Sequence, residues 1–219
     1  MEIRVVEKVL KVNDELAQAV RDRLRPLDVA TVNMISAPGS GKTSLIERAV
    51  QALEGARRIS VIEGDPDTTL DAERIAAAGA PVVQINTAGG CHLEANLVLR
   101  ALDQLELAAG GLLVIENVGN LVCPVSFDLG EDRRVAVVSV TEGHDKPAKY
   151  PKLFRCADLV VLNKVDLLPH VDFDVARFRA YVEKLQPGVA MMEVSCRTGE
   201  GIDAWAAWLR ALVPRGAQR

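Results

Sequence analysis

The sequence predicts a three-layer α/β fold, a mostly parallel sheet with helices on both faces. Short, near-continuous apolar runs recur along the chain, and segments with a helical apolar period lie between them. The length of 219 residues suits one well-buried domain with at most a small appendage.

In chain order, residues 1–25 have a helical pattern. Val5, Val6, Val9, Leu10, Leu16, Val20 and Leu24 recur at helical spacing, and Pro26 stops it. The predicted strands are "VATVNMIS" (29–36), "RISVIEG" (58–64), "PVVQIN" (81–86), "GLLVIENVG" (111–119), "RVAVVSV" (134–140), "DLVVLNK" (158–164) and "AMMEVS" (190–195). The helical segments between them are "SLIERAVQAL", "TLDAERIAAAG", "LEANLVLRALDQLEL" and "FDVARFRAYVEKL". Residues 1–26 are therefore expected as an N-terminal amphipathic helical segment, 27–214 as one nucleotide-binding domain and 215–219 as a tail.

Composition narrows the function. Hydrophobic residues make up 49% and charged residues 26%, an ordinary globular balance. The net charge is −4 with no basic block, so no nucleic-acid footprint is expected. The N-terminus lacks an apolar signal core, and the apolar runs are too short to span a bilayer. A cytoplasmic location is expected, where four reduced cysteines suit metal or catalytic duty better than disulfides.

In parallel sheets of this type ligands bind at the carboxyl ends of the strands. The first strand runs into "SAPGSGKTS" (36–44) and then a helix. Glycines let backbone N–H groups converge on phosphate oxygens, and a helix N-terminus adds its positive dipole end. Gly39, Ser40, Gly41, Lys42, Thr43 and Ser44 form this loop, with Ser36 where the usual pattern begins with Gly. Lys42 would reach the β- and γ-phosphates, and the Thr43 hydroxyl would ligate Mg²⁺. This makes the fold P-loop NTPase-like.

"NKVD" follows a later strand, and Asp166 can accept hydrogen bonds from N1–H and the exocyclic amine of guanine. Adenine offers no donor at either place and would leave the carboxylate unpaired. Asn163 and Lys164 would hold the loop and flank the base. "SCRTGEG" places Ser195, Cys196 and Arg197 in a second base loop, with Arg197 where Lys is common. GTP or GDP is the expected nucleotide.

Two further strand ends carry acids. "VIEGDPDTTLDAER" gathers Glu63, Asp65, Asp67 and Asp71, and "VIENVGN" ends in Glu116 with Gly119 three residues on. P-loop GTPases normally carry Asp-x-x-Gly here, an acid near Mg²⁺ and a glycine that senses the γ-phosphate. Thr43, Asp65, Asp71 and Glu116 are the Mg²⁺ candidates. Lys42, Asp65 and Glu116 are the catalytic candidates. Asp67 and Glu63 fit a helix-capping role equally well.

Cys91 and His92 follow the strand at 81–86, and Cys123 lies four residues past Gly119. Two thiolates and an imidazole make a soft metal site, Ni²⁺ or Zn²⁺, that needs a water or a second subunit to complete it. Taken singly, either cysteine fits a small buried hydrophobe and His92 a helix cap. Together, on one sheet edge, the three favour a metal. Cys156 is read as structural, and so is the Cys196 thiol.

At these residues the chain resembles the HypB family of hydrogenase maturation GTPases. The matching stretches are "PGSGKTS", "EGDPDT…DAERI", "NTAGGCHLEA", "IENVGNLVCP", "SVTEGHDKPAKYP" and "NKVDLL", which cover most of residues 30–200. The resemblance implies a GTP-dependent homodimer with metal at its interface. It implies Cys91, His92 and Cys123 as the Ni²⁺ or Zn²⁺ ligands, and nickel delivery to the large subunit of a [NiFe]-hydrogenase. A small zinc-containing HypA-type accessory protein is the implied partner. Residues 1–30 hold neither Cys nor His, so no nickel-storage tract is expected there.

Urease-accessory GTPases are related nickel chaperones but carry a Cys-Pro-His tripeptide absent here. Cobalamin-enzyme chaperone GTPases lack the Cys-His…Cys set. A small-molecule kinase rarely needs the guanine selectivity of "NKVD". The γ-phosphate loops show no obvious Gln or Arg to speed hydrolysis, so slow turnover is expected. Lys146 is read as a solvated lysine, with reach across a dimer interface as the second possibility.

Overall fold

The computed structural model describes residues 7–215. Val5 and Val6 of the predicted first helix, and residues 216–219 of the predicted tail, lie outside the described residues. In chain order the regular elements are α1 (Glu7–Leu24), β1 (Ala30–Ser36), α2 (Lys42–Ala52), β2 (Ile59–Asp65), α3 (Leu70–Ala77), β3 (Val82–Asn86), α4 (Ala95–Leu102) and β4 (Leu112–Glu116). They continue with β5 (Arg133–Ser139), α5 (Lys146–Lys149), α6 (Pro151–Cys156), β6 (Leu159–Asn163), α7 (Val175–Leu185), β7 (Ala190–Val194) and α8 (Ile202–Arg210).

Each predicted strand is present within a residue or two, except that β4 ends at Glu116 and frees residues 117–119 as a loop. The described strands form one sheet in the order β3-β2-β4-β1-β5-β6-β7. Every pairing is parallel, so the sheet is wholly rather than mostly parallel.

The pleat sorts the apolar side chains into two cores. Ala30, Val32, Met34, Leu112, Val114, Val135 and Val137 face one layer, with Leu45, Ile46, Ile75, Trp205 and Leu209 from α2, α3 and α8. Ile35, Ala136, Val138, Val160 and Leu162 face the other, with Leu153, Phe154, Phe178 and Val182 from α6 and α7. Leu113 and Ile115 extend that side toward α1 and α4 through Val20, Leu24, Val98 and Leu102.

Three helices go beyond expectation, the single turn α5 and the longer α6 and α8. α8 repeats buried Ile202, Trp205, Ala206 and Leu209 at helical spacing, and α6 buries Leu153 and Phe154. One predicted helix is shorter than its apolar pattern. α4 stops at Leu102, which lets Leu105 turn into the core while the Glu106 carbonyl accepts a hydrogen bond from Ser60 Oγ at 2.7 Å. Among the described residues no helix is long and apolar enough to cross a membrane.

Candidate functional site

All the loops singled out by sequence emerge from the carboxyl edge of this sheet. The chain reverses at β1, which has β4 on one side and β5 on the other. That switch point is where open α/β sheets leave a crevice. Two adjoining cavities of about 710 and 400 Å³ lie there, sharing Gly41, Ser44, Arg74 and Lys164.

The larger cavity holds the base candidates Asn163, Lys164, Asp166, Cys196 and Arg197. Asn163 Nδ2 donates to the Ser40 carbonyl at 2.9 Å, and Lys164 Nζ donates to that of Gly39 at 2.7 Å. The two loops are thus tied together, and the Gly41 backbone approaches so closely that a Cβ there would collide with Asn163. Gly41 also sits at φ +98°, a conformation that glycine tolerates best. Lys164 holds the left-handed region at φ 63° without that freedom, a strain found at functional loops. Ser195 is fully buried, and its hydroxyl donates to Asp166 Oδ1 at 2.6 Å. Ser195 therefore orients Asp166, whose other oxygen carries no such bond.

The smaller cavity is lined by Lys42, Thr43, Glu63, Asp65, Asp71, Glu116 and Gly119. Lys42 is only 7% exposed, which corrects any picture of it as a surface-loop charge. Its Nζ donates to Ser36 Oγ at 2.9 Å, so the residue replacing the usual first glycine receives the lysine. Burial lowers the Lys42 pKa, opposed by Glu116 and its neighbouring acids. Ser40 does not face this cavity, since its hydroxyl donates to Glu142 Oε1 at 2.6 Å. Gly119 approaches the Pro38 backbone to about 3 Å from where a Cβ would sit.

The acids divide by what they touch. Thr43 Oγ1 donates to Glu116 Oε1 at 2.8 Å. Glu63 lies opposite Glu116 across the β2–β4 pairing and is 2% exposed. It is a strand residue aimed into the site and caps no helix, contrary to one of the two expectations for it. Glu63 Oε2 and Glu116 Oε2 are both buried without a hydrogen-bond partner. Two orphaned carboxylate oxygens beside a hydroxyl are an oxygen donor set that suits a hard divalent cation. Burial, then the neighbouring Glu116, pushes Glu63 up to about 8. Burial also raises Glu116 to about 7, against the pull of Lys42 and Thr43.

Asp65 and Asp71 are engaged elsewhere. Asp65 Oδ1 accepts the N–H groups of Asp67 and Thr68 at 2.8 and 2.6 Å, shaping the loop. Asp71 pairs with Arg74 at 3.0 Å. Asp67 makes no side-chain cap, because Thr69 precedes α3 and no side chain caps it. The γ-phosphate loops themselves hold no arginine, but Arg74 of α3 stands beside them. It lines both cavities, holds Glu47 at 2.8 Å and donates to Ser44 Oγ at 3.0 Å. Lys146 is half-buried, 3.5 Å from Glu142 and over the Tyr150 ring.

The titration of Glu63 gives a stability prediction. An acid held above its ordinary value of 4.5 binds more protons folded than unfolded, so its contribution falls as pH rises toward about 8. In nucleotide-free protein, Glu63→Gln should therefore gain thermal stability relative to wild type between pH 5 and about 8. Melting curves whose separation does not change with pH would refute this.

The third constellation lies beside the second. Ligand atoms of Cys91, His92 and Cys123 all fall within 4.8 Å of one another. Cys91 is exposed, so it is no buried hydrophobe, and His92 caps no helix because Glu94 precedes α4. The Cys91 thiol is raised first by its hydrogen bond with Cys123. Sequence reasoning missed what joins this cluster to the phosphate side. Asn117, 1% exposed, accepts the N–H of Leu93 at 3.2 Å and that of Val118 at 3.0 Å, and donates to Asn33 at 3.2 Å. Asn120 Nδ2 donates to the Cys91 carbonyl at 3.3 Å. Cys156 packs against the second core beside Arg134 and donates to the Leu153 carbonyl at 3.3 Å, away from the Cys91 cluster.

The phosphate loop, the guanine-type base loops and the paired acids on a parallel sheet define a P-loop GTPase. The family model described as "CobW/HypB/UreG, nucleotide-binding domain" matches residues 30–193. The hydrogenase maturation factor HypB of Azotobacter vinelandii is 52% identical over 207 residues, which cover 94% of this chain and 68% of that protein. The crystal structure of the hydrogenase maturation factor HypB from Archaeoglobus fulgidus superposes with a TM-score of 0.85 at 41% identity, covering 92% of this chain and 98% of that one. HypB from Helicobacter pylori, solved in complex with nickel, gives 0.86 at 35% identity, covering 90% and 93%. This chain belongs to the HypB family of hydrogenase maturation factors.

Proposed function

We propose that this chain is a GTP-dependent metallochaperone that carries nickel for the large subunit of a [NiFe]-hydrogenase. The observation that carries the reading is the Cys91, His92 and Cys123 cluster, roped by Asn117 and Asn120 to the loop beside the phosphate cavity. Two thiols and an imidazole suit Ni²⁺, and Zn²⁺ is the competing ion. A relative of known structure holds nickel.

In this reading Gly39, Gly41, Lys42, Thr43 and Ser44 cradle the phosphates, and Asn163, Lys164, Asp166 and the Ser195–Arg197 loop hold guanine. Thr43, Glu116 and Glu63 would hold Mg²⁺, with Asp65 and Asp71 in its outer surroundings. Magnesium supplies charge neutralisation to the phosphates when bound. Lys42 gives one of its three donors to Ser36, which leaves two for the phosphates. Arg74 is held by Glu47 and Asp71, so slow intrinsic turnover is expected.

Three protein ligands leave the metal short of one donor, so a second copy of the chain completes the site. The cytoplasm is the proposed location, and a HypA-type accessory protein and the hydrogenase large subunit are the proposed partners.

Nucleotide and nickel should be coupled through the two asparagines. When the loop after β4 closes on the γ-phosphate, Leu93 and Cys91 are pulled with it, and Cys123 moves on the same loop. Such coupling is typically 5- to 150-fold and reciprocal. Nickel titrations in GDP and in a non-hydrolysable GTP analogue, with light scattering on the same samples, test both claims. Differing nickel affinities, loss of tight binding in Cys123→Ser and a dimer with metal and analogue are expected. Equal affinities would refute the coupling, and a monomer at all concentrations would refute the shared site.

A further inference from the structure

We infer that Glu94 is a positioning residue for the metal, holding the His92 imidazole with its proton on Nε2 so that Nδ1 is the ligand atom. The inference rests on the metal reading proposed above. His92 Nδ1 lies 3.5 Å from Cys91 Sγ. The opposite edge of the ring points away from the thiol, and its Nε2 is buried with no hydrogen-bond partner. Glu94 Oε1 lies 3.7 Å from that Nε2.

The plane of the ring is also held. It stacks on Phe127 with centroids 3.9 Å apart and planes 25° from parallel. Phe127 is itself fixed: its N–H donates to the Pro124 carbonyl at 3.3 Å, and its carbonyl accepts from Arg134. The next residue, Asp128, is held by Arg21 at 2.6 Å and by Asn13 at 2.8 Å to its carbonyl. The arm that carries Cys123 therefore also supplies the plate against which His92 rests.

A neutral imidazole that gives one nitrogen to a metal keeps its proton on the other. With Nδ1 facing the thiol, that proton sits on buried Nε2 and needs an acceptor. The Glu94 carboxylate is the charged group there, and at 42% side-chain exposure it has room to close the remaining gap. A carboxylate behind a ligating histidine fixes its tautomer and raises its basicity. Glu94 also precedes α4 without making a side-chain cap, so the helix does not engage its carboxylate.

The test is nickel binding to the full chain by competition with a chromophoric chelator, for wild type, Glu94→Ala and Glu94→Gln. Glu94→Ala should bind nickel about 10- to 100-fold more weakly, and Glu94→Gln, which keeps an acceptor oxygen, should recover part of the loss. In ¹⁵N-histidine spectra of the zinc-loaded protein, His92 of wild type should carry the metal on Nδ1 and the proton on Nε2. Thermal melts of both variants should match wild type, because no structural bond is lost. Equal nickel affinity in Glu94→Ala, or metal on Nε2 in wild type, would overturn the role of Glu94. A wild-type chain that binds no nickel would overturn the metal reading itself, and the inference with it.

Discussion

Asp166→Asn should weaken GTP binding by about 150-fold, on the order of 3 kcal/mol, and shift preference toward xanthosine nucleotides. Guanine presents two donors to this residue, and hydrogen bonds to a charged acceptor are the strong ones. The amide can accept one of them but sets its own N–H₂ against the other. Xanthine carries a carbonyl where guanine carries the amine, so the amide suits it. The structure adds a second variant. Ser195 Oγ donates to Asp166 Oδ1 at 2.6 Å, so Ser195→Ala should loosen the carboxylate and cost less, within about tenfold. Direct titration with GDP and XDP measures both, and an Asp166→Asn chain with wild-type GDP affinity would remove the guanine assignment.

Lys42→Ala should reduce GTP turnover at least about 100- to 1000-fold, the scale of losing one preorganised group that stabilises transition-state charge. Its effect on folding is the more informative half. Lys42 is buried among Glu116, Glu63 and Asp71, and its charge opposes the rise of the Glu116 pKa. Without it the two buried glutamates hold their protons to higher pH. At pH 6 both are protonated in wild type and variant alike, and the melts should lie close together. By pH 9 the glutamates are ionised, and Lys42 favours their charged form whereas alanine does not, so the variant should melt lower there. Equal melting at both pH values would show that Lys42 is not electrostatically joined to the acids. Retained hydrolysis would contradict its place on the phosphates.

Much of this protein is legible in its sequence. Strand positions followed from apolar runs, and the phosphate loop, the guanine loop and the Cys91–His92 pair followed from local residue chemistry. These features are short in sequence, and each carries its own constraint: glycine for a backbone approach, a carboxylate for two donors, a thiol for a soft ion. The family resemblance rested on the same segments, as did the expectation that Cys91, His92 and Cys123 converge, which their ligand atoms do within 4.8 Å.

Tertiary structure decided the rest. "EGD" does not say which of its acids points into the site. Glu63 faces inward because β2 pairs with β4 in a register that sets it beside Glu116, whereas Asp65 turns back onto its own loop. Lys42 looks solvent-facing in a glycine-rich loop, yet the end of β1 brings Ser36 to its ammonium. Asn117, Asn120 and Glu94 sit inside the matching stretches and Phe127 outside them, but nothing local gives their roles, because their partners at Leu93, Cys91 and His92 come from other stretches of chain or the far side of a turn. α8 had the right apolar period, but Trp205 gained its meaning only when its indole N–H met the Leu45 carbonyl, 160 residues earlier. Local chemistry is written in neighbouring residues. Register, facing and burial arise when distant strands pair and exclude water, and no window of sequence contains both partners.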